Sequence, residues 1–460
     1  MDGNWCWGKS LSESRRTDAP DVRQTAAEIL DRVERSGAWA SRLLETHEQR
    51  FSDRRDRALL HETVLGVLRS KRRLDVALQH SSNRPLDGLD GLVLATLRVG
   101  AYALLALDRI PDHAAVSAAV DSIRQRRHRA VGYVNGVLRS VARNGTAALP
   151  ERPVDRSIGS WAVWSSHPDW WVEKLVERAG WDAAIRLLEA NNRPVRTTLR
   201  PNLAQISTER LAVTLSDNGC RTRPGRIVPD SLRVFSGSPG TALAAGLCWV
   251  QDEASQLVSR LAAVKPGMRI VDVCSAPGGK SMHLANLAGT HGSVVAVDRH
   301  AGRMKRLVRN IERCKLVQVL PLIADMTAPP PVAAPFDRIL VDAPCSGTGT
   351  LRRHPEIRWR LTPEAIKLVS LRQERLLERA AGLLAEGGRL VYSVCSMEPE
   401  EGERVIASFL ERFPRFAPVD PSDELPPSAR ALIGRDRFLR TDPACDGLDG
   451  FFAAALELRS

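Results

Sequence analysis

Apolar residues recur at helical spacing through the first third of the chain, at positions i, i+3, i+4 and i+7. The pattern runs from Asp21 to about Arg143 without an alternating strand pattern, so we predict an all-α domain over residues 21–145. Residues 1–20 are polar and aperiodic, and we expect them to be disordered. The clearest repeats are Ala26, Ile29, Leu30 and Val33, followed by Leu60, Val64, Val67 and Leu68.

A second, smaller region follows residues 146–160, which include Gly, Pro and Ser and predict a linker. Over residues 161–240 a helical stretch at 207–216 and a strand-like stretch at 232–235 predict a small α+β domain. Tryptophans crowd its start, where they could stack on bases. Because they follow a helical pattern, we expect most of them to be core residues. They are Trp161, Trp164, Trp170, Trp171 and Trp181.

From residue 241 to the end, short apolar runs alternate with helical patterns. Strand–helix alternation predicts a doubly wound α/β domain, whose sites lie at the carboxyl ends of parallel strands. A long helix is expected over 363–385, with Thr362 as its N-cap and Pro363 in its first turn. The expected strands are 269–273, 293–297, 317–322, 336–341, 388–394 and 451–457.

Net charge and cysteine content indicate what kind of partner the protein binds and in which compartment it acts. A net charge of +12 and a pI near 9.7 favour a polyanionic partner such as nucleic acid. The 8 cysteines include no CxxC pair, so we expect no zinc ribbon and no other metal site. Scattered thiols are typical of a reducing cytosol, and the N-terminus lacks a signal peptide's apolar region. The most apolar segment, 89–107, contains Asp90 and Arg98 and predicts a buried helix rather than a membrane span.

Basic residues cluster in both predicted N-terminal domains. The clusters at 71–73 and 124–129 suit phosphate contacts, but they equally suit solvated helix ends, where cations complement the helix dipole. Charge alone does not separate these two interpretations. The small α+β domain is a second candidate RNA surface because of its arginines. These are Arg193, Arg196, Arg200, Arg221, Arg223 and Arg226.

The most informative stretch follows the strand predicted at 269–273. Strand, glycine turn and helix bring backbone N–H groups against a nucleotide. The spacing lacks the first glycine of a P-loop and is not Gly-x-Gly-x-x-Gly. The next strands end in Asp298, which suits ribose hydroxyls, and Asp325, which suits an adenine amino group. Acids without a phosphate cradle favour S-adenosylmethionine. The turn itself is Cys274, Ser275, Ala276, Pro277, Gly278, Gly279, Lys280 and Ser281.

Two cysteines follow later strands and indicate where a methyl group would go. Cys345 follows the strand at 336–341, and Cys395 follows the strand at 388–394. These strands are neighbours in the doubly wound methyltransferase order, so both thiols would face one cleft. A thiolate added at carbon 6 of cytosine makes carbon 5 nucleophilic, and a base must then remove the carbon 5 proton. Asp342 can hold the ring at nitrogen 3 or the exocyclic amine. The alternative is a pair of small buried thiols.

Three motifs resemble those of the Sun/Fmu (RsmB-type) family of RNA cytosine-5 methyltransferases. They are Asp272–Lys280, Asp342–Gly349 and Tyr392–Ser396, with supporting stretches at 250–257, 352–357 and 449–452. In the first third of the chain, three segments resemble the NusB-like RNA-binding domain. Those segments are 31–44, 59–74 and 109–139. The resemblance therefore covers nearly the whole chain after residue 20.

This resemblance implies a Rossmann-like class I methyltransferase domain over 241–460 and assigns roles within it. It implies Cys395 as the nucleophile and Cys345 as the cysteine that aids product release. DNA cytosine methyltransferases attack with the earlier Pro-Cys instead, so the presence of Cys395 favours RNA. Departures at Ser275, Ser281 and Val394 remove no reacting group. The implied donor site is Cys274 through Lys280 with Asp298, Asp325 and Asp342.

We therefore expect a monomeric, cytoplasmic, S-adenosylmethionine-dependent enzyme that methylates carbon 5 of a cytosine. By resemblance the target is 16S ribosomal RNA, on a single-stranded or splayed-out base. Two alternatives remain open. One is a transfer-RNA methyltransferase of the same chemistry. The other is a NusB-like RNA-binding or transcription-assembly protein with an inactive methyltransferase domain.

Overall fold

The computed structural model describes residues 21–108, 110–124 and 126–459. They form two compact units, divided between Arg152 and Pro153. The tail predicted to be disordered, residues 1–20, lies outside the described residues. Among the helices that the structure describes, none is both long and apolar enough to cross a bilayer.

The N-terminal unit is helical, as predicted. Asp21 begins its first helix by accepting the backbone N–H groups of Arg23 and Gln24 at 2.7 and 2.8 Å, which is N-capping. The segment predicted to be a buried helix is the fourth one, and its buried Arg98 pairs with Glu34 and Asp75, both at 2.7 Å. The helices are α1 (Val22–Ser36), α2 (Ala40–His47), α3 (Arg54–Ser81), α4 (Gly91–Ala106), α5 (Asp112–Arg124) and α6 (Val131–Asn144).

The second unit begins with the small α+β region. The predicted helix is α9, capped by the Ser207 hydroxyl, and the predicted strand is β3. Strands β2, β3, β1 and β4 form an antiparallel sheet in that order. The elements are α7 (Ile158–Ser165), α8 (Asp169–Asn191), β1 (Thr198–Pro201), α9 (Thr208–Asp217), β2 (Arg221–Pro224), β3 (Leu232–Ser236), α10 (Gly240–Ala244) and β4 (Cys248–Val250).

The tryptophans at the start of this region form a core, as predicted. Trp161 and Trp171 are buried, and the other tryptophans pack partly buried against the same cluster. Leu351 and Ile357, from the loop that follows Cys345, complete that cluster. The tryptophan core therefore supports the loop that carries one of the two candidate cysteines.

The rest of the second unit is an eight-stranded sheet with helices on both faces. The strand order is β10-β12-β9-β8-β5-β6-β7, with β11 paired to β12. The elements are α11 (Glu253–Arg260), β5 (Arg269–Val273), α12 (Gly279–Ala288), β6 (Ser293–Asp298), α13 (Ala301–Cys314), β7 (Val319–Ile323), β8 (Phe336–Asp342), α14 (Pro363–Ala381), β9 (Leu384–Val394), α15 (Glu403–Arg412), β10 (Phe416–Pro418), β11 (Leu439–Thr441) and β12 (Phe451–Leu458).

Strands β5 to β9 are parallel, as strand–helix alternation predicts, whereas β12 runs antiparallel to β9. The Thr362 cap of the long helix is confirmed, since its hydroxyl accepts the Ala365 N–H at 3.2 Å. The predicted end of that helix at 385 is wrong, because α14 ends at Ala381. Leu384 instead pairs with Phe336 of β8, and strand pairing of a buried apolar residue overrides the helical pattern.

Candidate active site at the carboxyl edge of the sheet

The glycine turn joins β5 to α12 at the carboxyl edge of the sheet. Cys274 has φ +63° and Gly278 has φ +105°, conformations that turn the chain sharply after the strand. A Cβ added at Gly278 would lie 3.1 Å from Leu307 and would also be strained by the positive φ. The Ser281 hydroxyl donates to Asp272 at 2.5 Å and so ties the helix to the strand. The turn is thus held in a single tight shape.

Two acidic side chains predicted to hold the donor stand beside this turn. Asp298 accepts the His300 N–H at 2.9 Å and the Ala276 N–H at 3.3 Å, which fixes the turn against β6. Asp325 accepts the backbone N–H and hydroxyl of Thr327 at 3.0 and 2.8 Å, and these bonds lower the pKa of its carboxyl. A carboxylate has about four acceptor sites, so both side chains can accept further hydroxyl or amino groups.

An open cleft separates these acids from the loop before Cys345. The cleft is open to solvent, and the empty space within it, solvent included, is about 410 Å³. Sequence reasoning missed its three arginines and its histidine, because single basic residues outside the strand-end motifs give no pattern that points to a site. The lining residues are Cys274, Val297, Asp298, Arg299, His300, Arg303, Ala324, Asp325, Met326, Pro344, Arg372 and Leu376.

Lys280 and Asp342, both predicted site residues, form an ion pair on the other side of the turn. Lys280 Nζ lies 2.7 Å from Asp342 Oδ2, and the Ser393 hydroxyl donates to Asp342 Oδ1 at 2.8 Å. Burial opposes the charge of Lys280, but Asp342 outweighs that effect and raises the pKa of the amine. The ammonium also lies 5.2 Å from the centre of the Phe451 ring. This pair therefore places a cation and an anion side by side, where they could form hydrogen bonds with the polar edge of a bound heterocyclic ring.

The two candidate cysteines meet beside this ion pair. Cys345 and Cys395 follow the adjacent parallel strands β8 and β9, and their Sγ atoms are 3.3 Å apart. Both side chains are partly exposed, whereas Cys220, Cys248 and Cys314 are fully buried. The hydrogen bond with Cys395, followed by desolvation, raises the pKa of Cys345 well above its usual value. Exposure at the strand ends argues against two merely structural thiols.

The three supporting stretches of the sequence converge on one buried ion network. Arg353 lies 2.7 Å from Asp252 and 2.5 Å from Asp449, so one guanidinium joins two acids from distant parts of the chain. The Gly450 N–H donates to the Gly349 carbonyl at 2.8 Å, and a Cβ at Gly349 would overlap the Gly450 carbonyl. This network fixes the start of β12, where Phe451 meets the Lys280 ammonium.

Sequence reasoning missed one buried residue that contacts both cysteine loops. Glu401 is fully buried and accepts hydrogen bonds from Ser346 and Ser396, the residues that follow the two cysteines. The available signal was an acidic run directly after a strand-end cysteine. Such a run is normally a solvated helix start, where acids complement the helix dipole, so the pattern did not single out Glu401.

Mild oxidation tests whether the two thiols meet in solution. Hydrogen peroxide should join Cys345 to Cys395, because sulfurs 3.3 Å apart need only a short approach to bond. Peptide mass spectrometry should show the linked pair and its loss after reduction with dithiothreitol. The Cys445→Ala variant, which removes an exposed thiol, serves as a control and should cross-link normally. Preferential pairing of Cys274 with either cysteine would contradict this geometry.

Comparisons with known proteins agree across all regions of the chain. The model of 16S rRNA methyltransferase RsmB/F matches residues 260–457, the NusB family residues 20–143, and the ferredoxin-like domain of RsmF/B-like methyltransferases residues 167–239. The small α+β region is thus ferredoxin-like.

Full-length relatives extend this agreement. The probable ribosomal RNA small subunit methyltransferase B of Bacillus subtilis is 34% identical over 445 residues, 95% of this chain and 98% of that one. The corresponding enzyme of Citrobacter koseri is 33% identical over 444 residues with the same coverage. The crystal structure of PH0851 matches with a TM-score of 0.80 at 28% identity, over 95% of this chain and 99% of that one. This chain therefore belongs to the RsmB family of small-subunit ribosomal RNA methyltransferases, which are S-adenosylmethionine-dependent enzymes.

Proposed function

We propose that this protein transfers a methyl group from S-adenosylmethionine to carbon 5 of a cytosine in 16S ribosomal RNA. The observation that carries this proposal is the pair of partly exposed thiols, 3.3 Å apart, beside the Lys280–Asp342 ion pair. Family membership supports the ribosomal RNA substrate. We expect the protein to act in the cytoplasm, where free thiols such as those of the described cysteines persist.

The residues of the cleft fit S-adenosylmethionine. The donor has hydroxyl, amino and carboxylate groups but no phosphate, and the cleft offers Asp298 and Asp325 as acceptors and Arg303 and Arg372 as cations. Gly278 keeps the turn close to α13, because a Cβ there would lie 3.1 Å from Leu307. When bound, S-adenosylmethionine supplies an electrophilic methyl group. We assign the turn from Cys274 to Lys280, with these acids and Asp342, to holding it.

In the proposed reaction, the Cys395 thiolate adds to carbon 6 of the cytosine ring. The displaced ring electrons make carbon 5 nucleophilic, because the ring becomes an enamine. Asp342 and Lys280 offer an acceptor and a cation to the polar edge of the ring, and the 2.7 Å ion pair holds each in place. Asp342 thereby orients the ring at nitrogen 3 or the exocyclic amine during the addition.

Release reverses the covalent bond after methylation. A base removes the carbon 5 proton, the electrons re-form the ring double bond, and the bond between carbon 6 and sulfur breaks. Cys345 lies 3.3 Å from the departing sulfur, where it can assist this elimination. The hydrogen bond with Cys395 and burial raise the pKa of the Cys345 thiol, which favours its protonated form. The two cysteines thus divide attack and release in this proposal.

Cysteine variants test this division. Cys395→Ala should lower methyl transfer by roughly three orders of magnitude or more, because it removes the nucleophile. Cys345→Ala should accumulate a protein–RNA adduct that survives denaturing gels, because addition remains possible and elimination slows. Labelled methyl transfer and a gel-shift assay measure the two effects, with Cys445→Ala as the matched control. Full turnover by Cys395→Ala would refute its role as the nucleophile, and absence of the adduct would refute the release role.

The choice of RNA is tested by mapping the modified base. Cells lacking this protein should lose a single 5-methylcytosine signal from 16S ribosomal RNA, as measured by bisulfite sequencing, and regain it on complementation. Transfer RNA from the same cells provides the control and should be unchanged. Loss of a transfer-RNA signal instead would favour the alternative substrate. Absence of any change, together with no binding of S-adenosylmethionine in calorimetry, would favour an inactive RNA-binding protein.

The structure changes which basic residues suit RNA contact. Among the predicted arginines, Arg200 is buried and pairs with Asp230 at 2.9 Å, so its prediction as a surface contact is wrong. In the N-terminal unit, Lys71 pairs with Glu34 at 2.8 Å and Arg126 with Glu28 at 2.9 Å. Carboxylate partners reduce the field that these clusters offer to phosphates.

A different arginine group in the ferredoxin-like domain keeps its positive charge available. Three guanidinium groups surround the Phe235 ring, with Cζ atoms 4.3, 4.5 and 5.5 Å from its centre. They belong to Arg196, Arg223 and Arg233, and within the described residues none of them forms an ion pair with a carboxylate. Like charges gathered on an aromatic ring suit a phosphate backbone with stacked bases. We assign this group, the Phe235 platform, to RNA binding.

Charge removal tests the Phe235 platform. The double variant Arg196→Gln/Arg223→Gln should bind ribosomal RNA more weakly and reduce the slope of log affinity against log salt by about 1.4, for two single-strand phosphate contacts. The control is Arg415→Gln/Arg459→Gln, which removes the same charge from two adjacent exposed arginines at the amino edge of the large sheet. Equal salt slopes for the two variants would place the RNA elsewhere.

A further inference from the structure

A buried carboxylate joins the two cysteine loops. Glu401 lies between Cys395 and α15, with its side chain out of contact with solvent. Its Oε1 accepts the Ser346 N–H at 2.7 Å and the Gln373 amide at 3.1 Å. Its Oε2 accepts the hydroxyls of Ser346 and Ser396. Since Ser346 follows Cys345 and Ser396 follows Cys395, one carboxylate holds the residue next to each thiol.

Neighbouring elements anchor this carboxylate. The Gln373 amide, from α14, also donates to the Pro344 carbonyl at 2.9 Å and so holds the residue before Cys345. The Tyr392 hydroxyl donates to the Glu401 main-chain carbonyl at 2.5 Å, which ties the segment back to β9. Glu401 therefore cannot shift without moving both loops.

Burial of this group carries a cost that packing alone would not justify. A buried ionised carboxylate is several kcal/mol unfavourable unless donors satisfy it, and Glu401 has four of them. Desolvation raises the pKa of its carboxyl, although the serine and glutamine bonds oppose that shift. An apolar side chain would avoid the cost, but it could not accept bonds from both loops. A role in connecting the Cys345 loop to the Cys395 loop accounts for a carboxylate at this buried position.

We propose that Glu401 is a positioning residue that sets the separation of the Cys345 and Cys395 sulfurs. Its effect on methyl transfer rests on the proposed function, but its effect on the sulfur separation does not. It acts through Ser346 and Ser396 and does not touch the substrate.

Two substitutions of Glu401 distinguish its hydrogen bonds to the two cysteine loops from the space that its side chain fills. Glu401→Ala removes every bond to the loops, so peroxide should cross-link the cysteines more slowly, and kcat should fall on the order of 10²-fold with the KM values for RNA and S-adenosylmethionine little changed. Glu401→Gln should retain most of both properties. Its carbonyl can accept from Ser346 N–H and Gln373, while its amide can donate to the two hydroxyls, which can rotate.

The adjacent Glu400 provides the matched control. It pairs with Lys174 and Arg404 rather than with the cysteine loops, so Glu400→Ala should cross-link and turn over as the unmodified protein does. Unchanged cross-linking and kcat in Glu401→Ala would overturn the positioning role. So would equal losses in the Gln and Ala variants, because these would indicate a need for charge or for the native side chain alone.

Folding and function are separated by two further measurements. If Glu401→Ala does not fold, the double variant Ser346→Ala/Ser396→Ala removes both hydroxyl bonds, and normal cross-linking in it would overturn the proposal. Slower cross-linking would support it. If Cys395→Ala remains active while Glu401→Ala still slows cross-linking, the proposed function fails and the positioning role stands. If Cys395→Ala is inactive and Glu401→Ala behaves normally, only the positioning role fails.

Discussion

The parallel pairing of β8 with β9 is the constraint on which the candidate site depends. Asp342 stands opposite Ser393 in that register, and the two cysteines follow within a few residues of this pair. Both strands are central and buried on both faces, so their register is set by the cores above and below the sheet. A shift of one residue would reverse the side chains and separate the Ser393–Asp342 hydrogen bond. Sheet packing thus determines the distance between the two candidate cysteines.

Buried polar groups around these two strands fix the positions of the loops that follow them, which strand pairing alone does not do. The glycine turn is held by Asp298, the cysteine loops by Glu401, and the start of β12 by Arg353 with its two acids. Each is expensive to bury and is stabilised by several hydrogen bonds or ion pairs. Beyond the strand ends, the loops are no longer held by regular strand pairing. Side-chain hydrogen bonds and ion pairs hold these loops in position instead. These three buried polar networks surround the candidate site at the carboxyl edge of the sheet.

The distribution of charge limits where RNA can bind. A net charge of +12 indicates a polyanionic partner, but many arginines are committed to ion pairs inside the protein. Arg98, Arg200 and Arg353 are structural cations, whereas the guanidinium groups of the Phe235 platform are not paired with acids among the described residues. Total charge therefore says less about an RNA surface than the location of carboxylates around each arginine.

The sequence by itself determined the helical first unit, the alternating strands and helices, and the placement of the candidate residues at the strand ends. These follow from periodicity and from local turn chemistry, which need only neighbouring residues. The tertiary structure alone decided that Cys345 and Cys395 are 3.3 Å apart, that Arg200 is buried, and that Glu401 joins both loops. It also decided that α14 ends before Leu384 and that β12 runs antiparallel. These features depend on contacts between residues far apart in the chain, and no local pattern encodes which acid or arginine will find a partner there.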